Sequence, residues 1–270
     1  MKINALFLIA GAGRYPALVA EEARRAGVSR IVAAAFEGET DEATVGLCDA
    51  VNWMRVGQLG RLLDAARGSG ASHAIMAGQL APGNLFNLRP DLKALVLLAK
   101  LPKRNAETLF GEAARQLSGV GVDVLPATTF LEGHLAPEGL IAGPRPKPRL
   151  LEDLRYAFGL AKETSRLDIG QSVVVRNGTV LAVEAFEGTD ACMRRGAELG
   201  RGRAVLGKVS KPGQDMRFDV PVVGLRTLEN ARACGISAMA LEAGRTLLLD
   251  RPAVCSAAAD AGITLFGIKA

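Results

Sequence analysis

The sequence predicts an α/β protein with a Rossmann-like, parallel-sheet N-terminal domain and a second, mixed α/β domain. Three observations carry this. Apolar runs of strand length alternate with amphipathic runs of helical length through the first half, beginning with INALFLIA (3–10). Strands apolar throughout, without in–out alternation, belong to a sheet covered on both faces. Halfway along, APEGLIAGPRPKPR (136–149) carries four prolines and two glycines and breaks the periodicity, as a linker does. Beyond it, Asn177-Gly178 joins two β-branched runs, the strongest local hairpin signal. The expected divisions are a domain over 1–135, a linker over 136–149 and a catalytic domain over 150–270.

In chain order, YPALVAEEARRAG (15–27) reads as a helix, with Pro16 near its first turn and Gly27 past its end. RIVAAAF (30–36) is a strand, VGQLGRLLDAARGSG (56–70) an amphipathic helix and HAIMAG (73–78) a strand. NAETLFGEAARQLSG (105–119) is a helix, and VDVLP (122–126) closes the first domain. After the linker come a helix around 151–166, the hairpin 171–186 and a helix at TDACMRRGAEL. RAVLGKVS is extended, TLENARACG is helical, and ISAMALE, TLLLD and ITLFGI are extended.

Bulk properties exclude several classes. With 49% hydrophobic and 23% charged residues the chain is globular. Aromatics are only 4%, too few for base-stacking platforms. The net charge of +5 is spread over dispersed bases, which suits an anionic ligand or membrane surface and does not call for nucleic acid. Cys48, Cys192, Cys234 and Cys255 show no metal spacing and read as reduced thiols of a cytoplasmic protein. No apolar run approaches the ~20 residues of a membrane span. With two distant histidines, His73 and His134, a zinc site or a His-centred triad is not expected.

Three stretches combine residues suited to chemistry. GAGRYP follows a strand and opens a helix, where Gly11, Ala12 and Gly13 either hold a diphosphate or merely make the turn. Glu37 and Glu39 follow the second strand, near the place of a ribose-binding acid. In VEAFEGTDACMRRG, Glu184, Glu187 and Asp190 cluster before a helix that Thr189 or Asp190 would cap. A cap explains one of these residues, and clustered carboxylates call for a cation. KVSKPGQDMRFDVPVVG (208–224) supplies Lys208 and Lys211 for phosphate oxygens, Arg217 for bidentate contact, and Asp215 and Asp219 for a metal or a water. Gln79, Gln171, Thr189 and Gln214 are candidate polar substrate contacts. Oxygen ligands favour Mg²⁺ or Mn²⁺. Finally, LRPDLKALVLLAKLPKR (88–104) sets leucines among Lys93, Lys100, Lys103 and Arg104; it reads as a core helix or, alternatively, as a face for anionic lipid or acyl chains.

GQSVVVRNGTVLAVEAFEGTDACMRRG, KVSKPGQDMRFDVPVVGLRT and IAGAGRYPALVAEEARRAG resemble the LpxI family of UDP-2,3-diacylglucosamine pyrophosphatases over nearly the whole chain. One departure is Arg104-Asn105, where relatives often carry an acidic pair. The resemblance implies a lipid A enzyme of Gram-negative bacteria, peripheral to the inner face of the cytoplasmic membrane. It would hydrolyse UDP-2,3-diacylglucosamine to UMP and 2,3-diacylglucosamine 1-phosphate with a divalent metal. On this reading Asp215 is the first catalytic candidate and Asp219 the second. Lys208, Lys211 and Arg217 stabilise the diphosphate, and Glu184, Glu187, Asp190 and Asp215 are metal candidates. A homodimer is compatible with the sequence. Two rivals are an NAD(P)-dependent oxidoreductase, against which Pro16 stands in place of a third glycine, and a non-enzymatic nucleotide-sugar or lipid-binding protein.

Overall fold

The computed structural model describes residues 3–80, 90–101 and 106–270, without the side chains of Lys100, Ala106 and Glu107. Lys103, Arg104 and Asn105 lie outside the described residues. The chain divides into two compact units, Met1–Leu131 with Asp215–Asp219, and Glu132–Gln214 with Val220–Ala270.

The first unit holds strands β1 (Ala5–Ala10), β2 (Arg30–Phe36), β3 (Ala50–Met54), β4 (His73–Ala77) and β5 (Asp123–Val124). They form one sheet in the order β3-β2-β1-β4-β5, every pair parallel. Its helices are α1 (Arg14–Arg25), α2 (Glu42–Val45), α3 (Leu59–Gly68), α4 (Leu92–Lys100) and α5 (Ala106–Ser118). Phe7, Ile9, Val32, Ala34 and Met76 pack on Leu62 and Leu63 of α3 and on Ala114 and Leu117 of α5. The alternate residues Leu6, Leu8, Ile31, Ala33 and Ile75 are also fully buried, and α1 packs on β1 and β4. Both faces are therefore covered, which is why the strands read as continuous apolar runs. The chain leaves β1 for β2 on one side and later places β4 on the other. Such a switch opens a crevice at the carboxyl ends of the strands.

In the second unit a six-stranded sheet runs β6-β13-β11-β9-β7-β8. Its strands are β6 (Gly139–Ala142), β7 (Ser172–Arg176), β8 (Thr179–Val183), β9 (Ala204–Lys208), β11 (Ile236–Glu242) and β13 (Thr264–Ile268). β9, β11 and β13 are parallel; β6 pairs antiparallel with β13, β7 with β9, and β8 with β7. A separate ribbon pairs β10 (Val222–Val223) with β12 (Leu247–Leu248). Helix α6 (Pro148–Arg166) covers one face, setting Leu154, Ala157 and Ala161 on Val173, Val205 and Ala240. On the other face α7 (Thr189–Gly200), α8 (Leu225–Cys234) and α9 (Arg251–Asp260) bring Met193, Leu228 and Val254 onto Val174, Leu206 and Leu265. The hairpin turn has positive φ at Asn177 (50°) and Gly178 (73°), the two-residue geometry that this dipeptide favours. Asp153 on α6 accepts both turn amides, at 2.7 and 2.8 Å.

The stretch expected to be a linker carries β6 and the first residues of α6. Strand β6 exists because it pairs antiparallel with β13, more than a hundred residues away, and local periodicity carries no trace of such a partner. Among the described residues, no helix is long and apolar enough to cross a membrane.

Candidate functional site

In the first unit, the loops after β1 and β4 meet at the carboxyl ends of the strands. Ala12 donates its amide to Gln79 O at 2.7 Å, and Gln79 returns one to Ala12 O at 3.1 Å. A Cβ on Gly11 would fall 2.5 Å from Gln79 O, so the close approach requires glycine there. Gly11 donates to Ala77 O at 2.8 Å and Gly13 to Asp41 Oδ2 at 3.1 Å. All three amides of the glycine turn thus have partners inside the unit, and the turn contributes shape rather than free donors. That shape is one wall of a cavity of about 630 Å³, lined by Gly11, Ala12 and Gln79 and by apolar groups that include Met76, Leu97, Leu98, Phe110 and Phe218. Buried Glu39 is its charged group. Glu37 does not line it and pairs with Arg55 at 3.0 Å.

The segment Asp215–Asp219 folds with this unit. Arg217 grips Asp215 with Nε 2.9 Å from Oδ1 and Nη2 2.6 Å from Oδ2, and its amide adds a bond of 3.1 Å. The Arg217 guanidinium beside Asp215 holds that carboxyl below the usual carboxylate range, outweighing partial burial. Phe218 lies against Phe110 at 5.8 Å between ring centroids, and Met216 O accepts the Ala127 amide at 2.7 Å. Asp219 is exposed and donates its amide to Asp215 O at 3.1 Å.

In the second unit, a chain of polar groups sits where α7 begins. Thr189 Oγ1 donates to Glu184 Oε1 at 3.0 Å and accepts from Lys208 Nζ at 2.9 Å, with Ser172 Oγ 3.3 Å away. Gly188, at φ 82°, is the N-cap, and no side chain caps the helix. Thr189 and Asp190, expected as caps, lie inside the first turn. The Thr189 hydroxyl instead bridges a carboxylate and an ammonium. Glu184 Oε2 is buried without a hydrogen-bond partner. Glu187 is engaged elsewhere, because Arg195 binds it at 2.5 Å and, by that hydrogen bond first, lowers its pKa. The Cys192 thiol nearby is pushed up to about 12 by burial, which leaves it protonated and unreactive.

After β9 the chain turns through Ser210–Gln214. Gln214, buried, accepts the Lys211 amide at 2.6 Å, and Lys211 Nζ lies 3.4 Å from Asp168. Gln171 O receives the Val209 amide at 3.0 Å. Beneath this turn is Glu242, with only 2% of its side chain exposed. It accepts Lys162 Nζ at 3.0 Å, the Ser210 amide at 2.7 Å and the Ser210 hydroxyl at 2.8 Å. Arg245 Nε donates to Ser210 Oγ at 2.7 Å. Lys162, Lys211, Arg245 and Lys269 line a cavity of about 340 Å³ here. Sequence reasoning missed Lys162, Glu242 and Arg245; the one available signal was a carboxylate ending the apolar strand ISAMALE.

Residues 5–134 match the model of the LpxI N-terminal domain and residues 137–266 that of the LpxI C-terminal domain. The chain is 35% identical over 224 residues to the UDP-2,3-diacylglucosamine pyrophosphatase LpxI of Caulobacter vibrioides, covering 79% of this chain and 80% of that one. Among solved structures, the biotin carboxylase domain of Hydrogenobacter thermophilus 2-oxoglutarate carboxylase, solved with MgADP and bicarbonate, matches at 13% identity and a TM-score of 0.29, over 66% of this chain and 36% of that chain. The biotin carboxylase domain of a single-chain bacterial carboxylase matches at 14% and 0.28, over 73% of this chain and 54% of the other. Scores that low carry no argument. The two family models together span nearly the whole sequence, and the chain belongs to the LpxI family.

Proposed function

We propose that the protein hydrolyses the diphosphate of UDP-2,3-diacylglucosamine to UMP and 2,3-diacylglucosamine 1-phosphate, a step of lipid A biosynthesis in a Gram-negative bacterium. It works on the inner face of the cytoplasmic membrane as a peripheral protein. The observation that carries this reading is the match, across four-fifths of both chains, to a relative named for that activity. Two features of the structure support it. The 630 Å³ cavity at the strand ends is walled mainly by apolar groups, as an acyl chain or a base requires. Within the second unit Lys208 and Lys211 are cations suited to phosphate oxygens, each beside polar groups that fix its position, and within the first unit Arg217 is another, beside Asp215.

In the reaction a water oxygen forms a new bond to one phosphorus as the bond from that phosphorus to the bridging oxygen breaks. The water gives up a proton, and the bridging oxygen departs with the other phosphate. Asp215, held ionised by Arg217, is suited to bind a cation or orient the water. A carboxylate with so low an affinity for protons is a poor general base at neutral pH. Asp219 is the second candidate for that work. Lys208 neutralises a phosphate oxygen, and the Thr189 hydroxyl, held by Glu184, keeps the ammonium in place.

Divalent metal is part of the proposal. Among the described residues no three His, Cys, Asp or Glu side chains group around one point. Mg²⁺, however, is usually held by one or two carboxylates together with substrate phosphates. In the second unit Glu184, with its buried and unpartnered Oε2, fits that pattern as an oxygen donor, with Glu187 and Asp190 as further candidates; in the first unit the ionised Asp215 is the candidate. The ion would supply positive charge to the phosphoryl oxygens. Purified protein should release UMP from UDP-2,3-diacylglucosamine with Mg²⁺ and not with EDTA. Asp215→Ala should lower kcat by about a thousandfold or more while leaving substrate binding largely intact. No release from folded wild-type protein under either condition would sink the reading.

A further inference from the structure

Helix α4 is apolar on two faces. Ala94, Leu97 and Leu98 line the 630 Å³ cavity. On the other face Leu92 is 81% exposed, Leu95 49% and Val96 55%, and Ala99 is exposed as well. The positions 92, 95, 96 and 99 follow the spacing of a single helical stripe. A helix in a globular protein ordinarily turns one stripe inward and a polar one outward. This one turns leucine and valine outward. The sequence of this segment is basic: residues 92–104 hold Lys93, Lys100, Lys103 and Arg104 and no acid, and Lys93 is exposed on the helix itself. Apolar residues turned outward, in a stretch of sequence rich in bases and without acids, is the composition of a helix lying in the headgroup layer of an anionic membrane.

We propose that α4 docks the protein on an anionic lipid bilayer, with Leu92, Leu95 and Val96 in the interface. The opposite side of the same helix lines the cavity, so docking sets the cavity wall one helix diameter from the lipid. An acyl chain drawn from the bilayer would then meet apolar surface on leaving it. This second step rests on the reading of the substrate as a diacylated lipid; the docking itself does not.

The test is co-sedimentation of the full chain with phosphatidylcholine vesicles, with and without about one-third phosphatidylglycerol. The wild type should pellet with the anionic vesicles, less so as salt is raised. The double variant Leu92→Glu/Val96→Glu should bind about tenfold more weakly or worse. A matching circular dichroism spectrum and melting curve would show it folded. As a gain-of-signal check, Leu92→Trp should blue-shift its fluorescence on anionic vesicles and be quenched by brominated lipid. On substrate in detergent micelles, the Glu variant should keep the wild-type kcat/KM, while on substrate in vesicles it should lose activity in step with binding. Wild type and variant pelleting alike, or no blue shift, would overturn the proposal. So would a wild type that ignores vesicles and dimerises through this face, seen as a monomer for the Glu variant in sedimentation velocity. Vesicle binding without any UMP release would leave the docking standing and remove the assigned substrate.

Discussion

Asp215 shows what a single residue can and cannot announce. Its place in KPGQDMRFD marked it as chemical, and the resemblance carried it to the head of the catalytic candidates. Nothing in the spacing showed that Arg217, two residues on, would close a two-pronged grip on it. Nor did the glycine turn reveal that its amides are spent on Ala77, Gln79 and Asp41, since a free donor and a satisfied one are spelled alike. The grip on Asp215 has a pH signature. Its folded pKa lies below the unfolded value, which for aspartate is about 3.9. The pair's contribution to stability is therefore fully present above that value and lost as pH falls through the lowered folded pKa. Thermal melts should show Asp215→Asn below the wild type by a constant margin from about pH 5.5 upward, with the gap closing under acid. A gap that is unchanged at low pH would mean that the ion pair is not what holds this turn.

At the scale of elements, what could be read was what is local. The hairpin at Asn177-Gly178, strand β2 and helix α5 follow from turn chemistry and periodicity within their own residues. β6 and α9 did not. β6 is made by its pairing with β13. α9 is alanine-rich with a weak apolar stripe, and its start signals are Asp250 at the N-cap and Pro252 in the first turn. The buried anchor Glu242 belongs to this second class, because it ties three distant elements. It ends β11, binds Lys162 on α6 and holds the Ser210 amide and hydroxyl after β9. Breaking one side of a buried ion pair typically costs about 3–5 kcal/mol. Glu242→Ala should lose about the lower end of that range in urea unfolding of the second unit, because it leaves the Lys162 ammonium with only the Ser210 carbonyl and removes the acceptor of the Ser210 amide and hydroxyl. Glu242→Gln keeps an acceptor for Ser210 and should lose less than half as much. Equal losses would assign the effect to shape rather than to the ion pair.

For the whole molecule, the division of the chain matters more than the division of the sequence. The sequence pattern places a boundary near residue 140 and the structure divides the chain after Leu131, yet Asp215–Asp219 lies far beyond both and folds with the first unit. Local patterning cannot show this, because five residues are too few to carry a period. Their attachment includes an aromatic contact, Phe218 on Phe110, within the apolar cluster of the first unit, and a backbone bond, the Ala127 amide to Met216 O. The chain leaves the second unit at Gln214 and re-enters it at Val220, so Asp215 is carried by the core of the first unit. Phe218 is the hydrophobic part of that hold. Truncating a half-buried phenylalanine costs roughly 1–3 kcal/mol, less than the 3–5 of a fully buried one. In native-state hydrogen exchange, Phe218→Ala should speed exchange of the Ala127 amide and of α5 around Phe110. The core strands β7, β9 and β11 should stay as protected as in the wild type. UMP release should fall chiefly in kcat, since Asp215 would remain ionised but lose its fixed position. Uniform loss of protection across both units would show the segment to be a general tether, and unchanged exchange at Ala127 would show that Phe218 does not hold it at all.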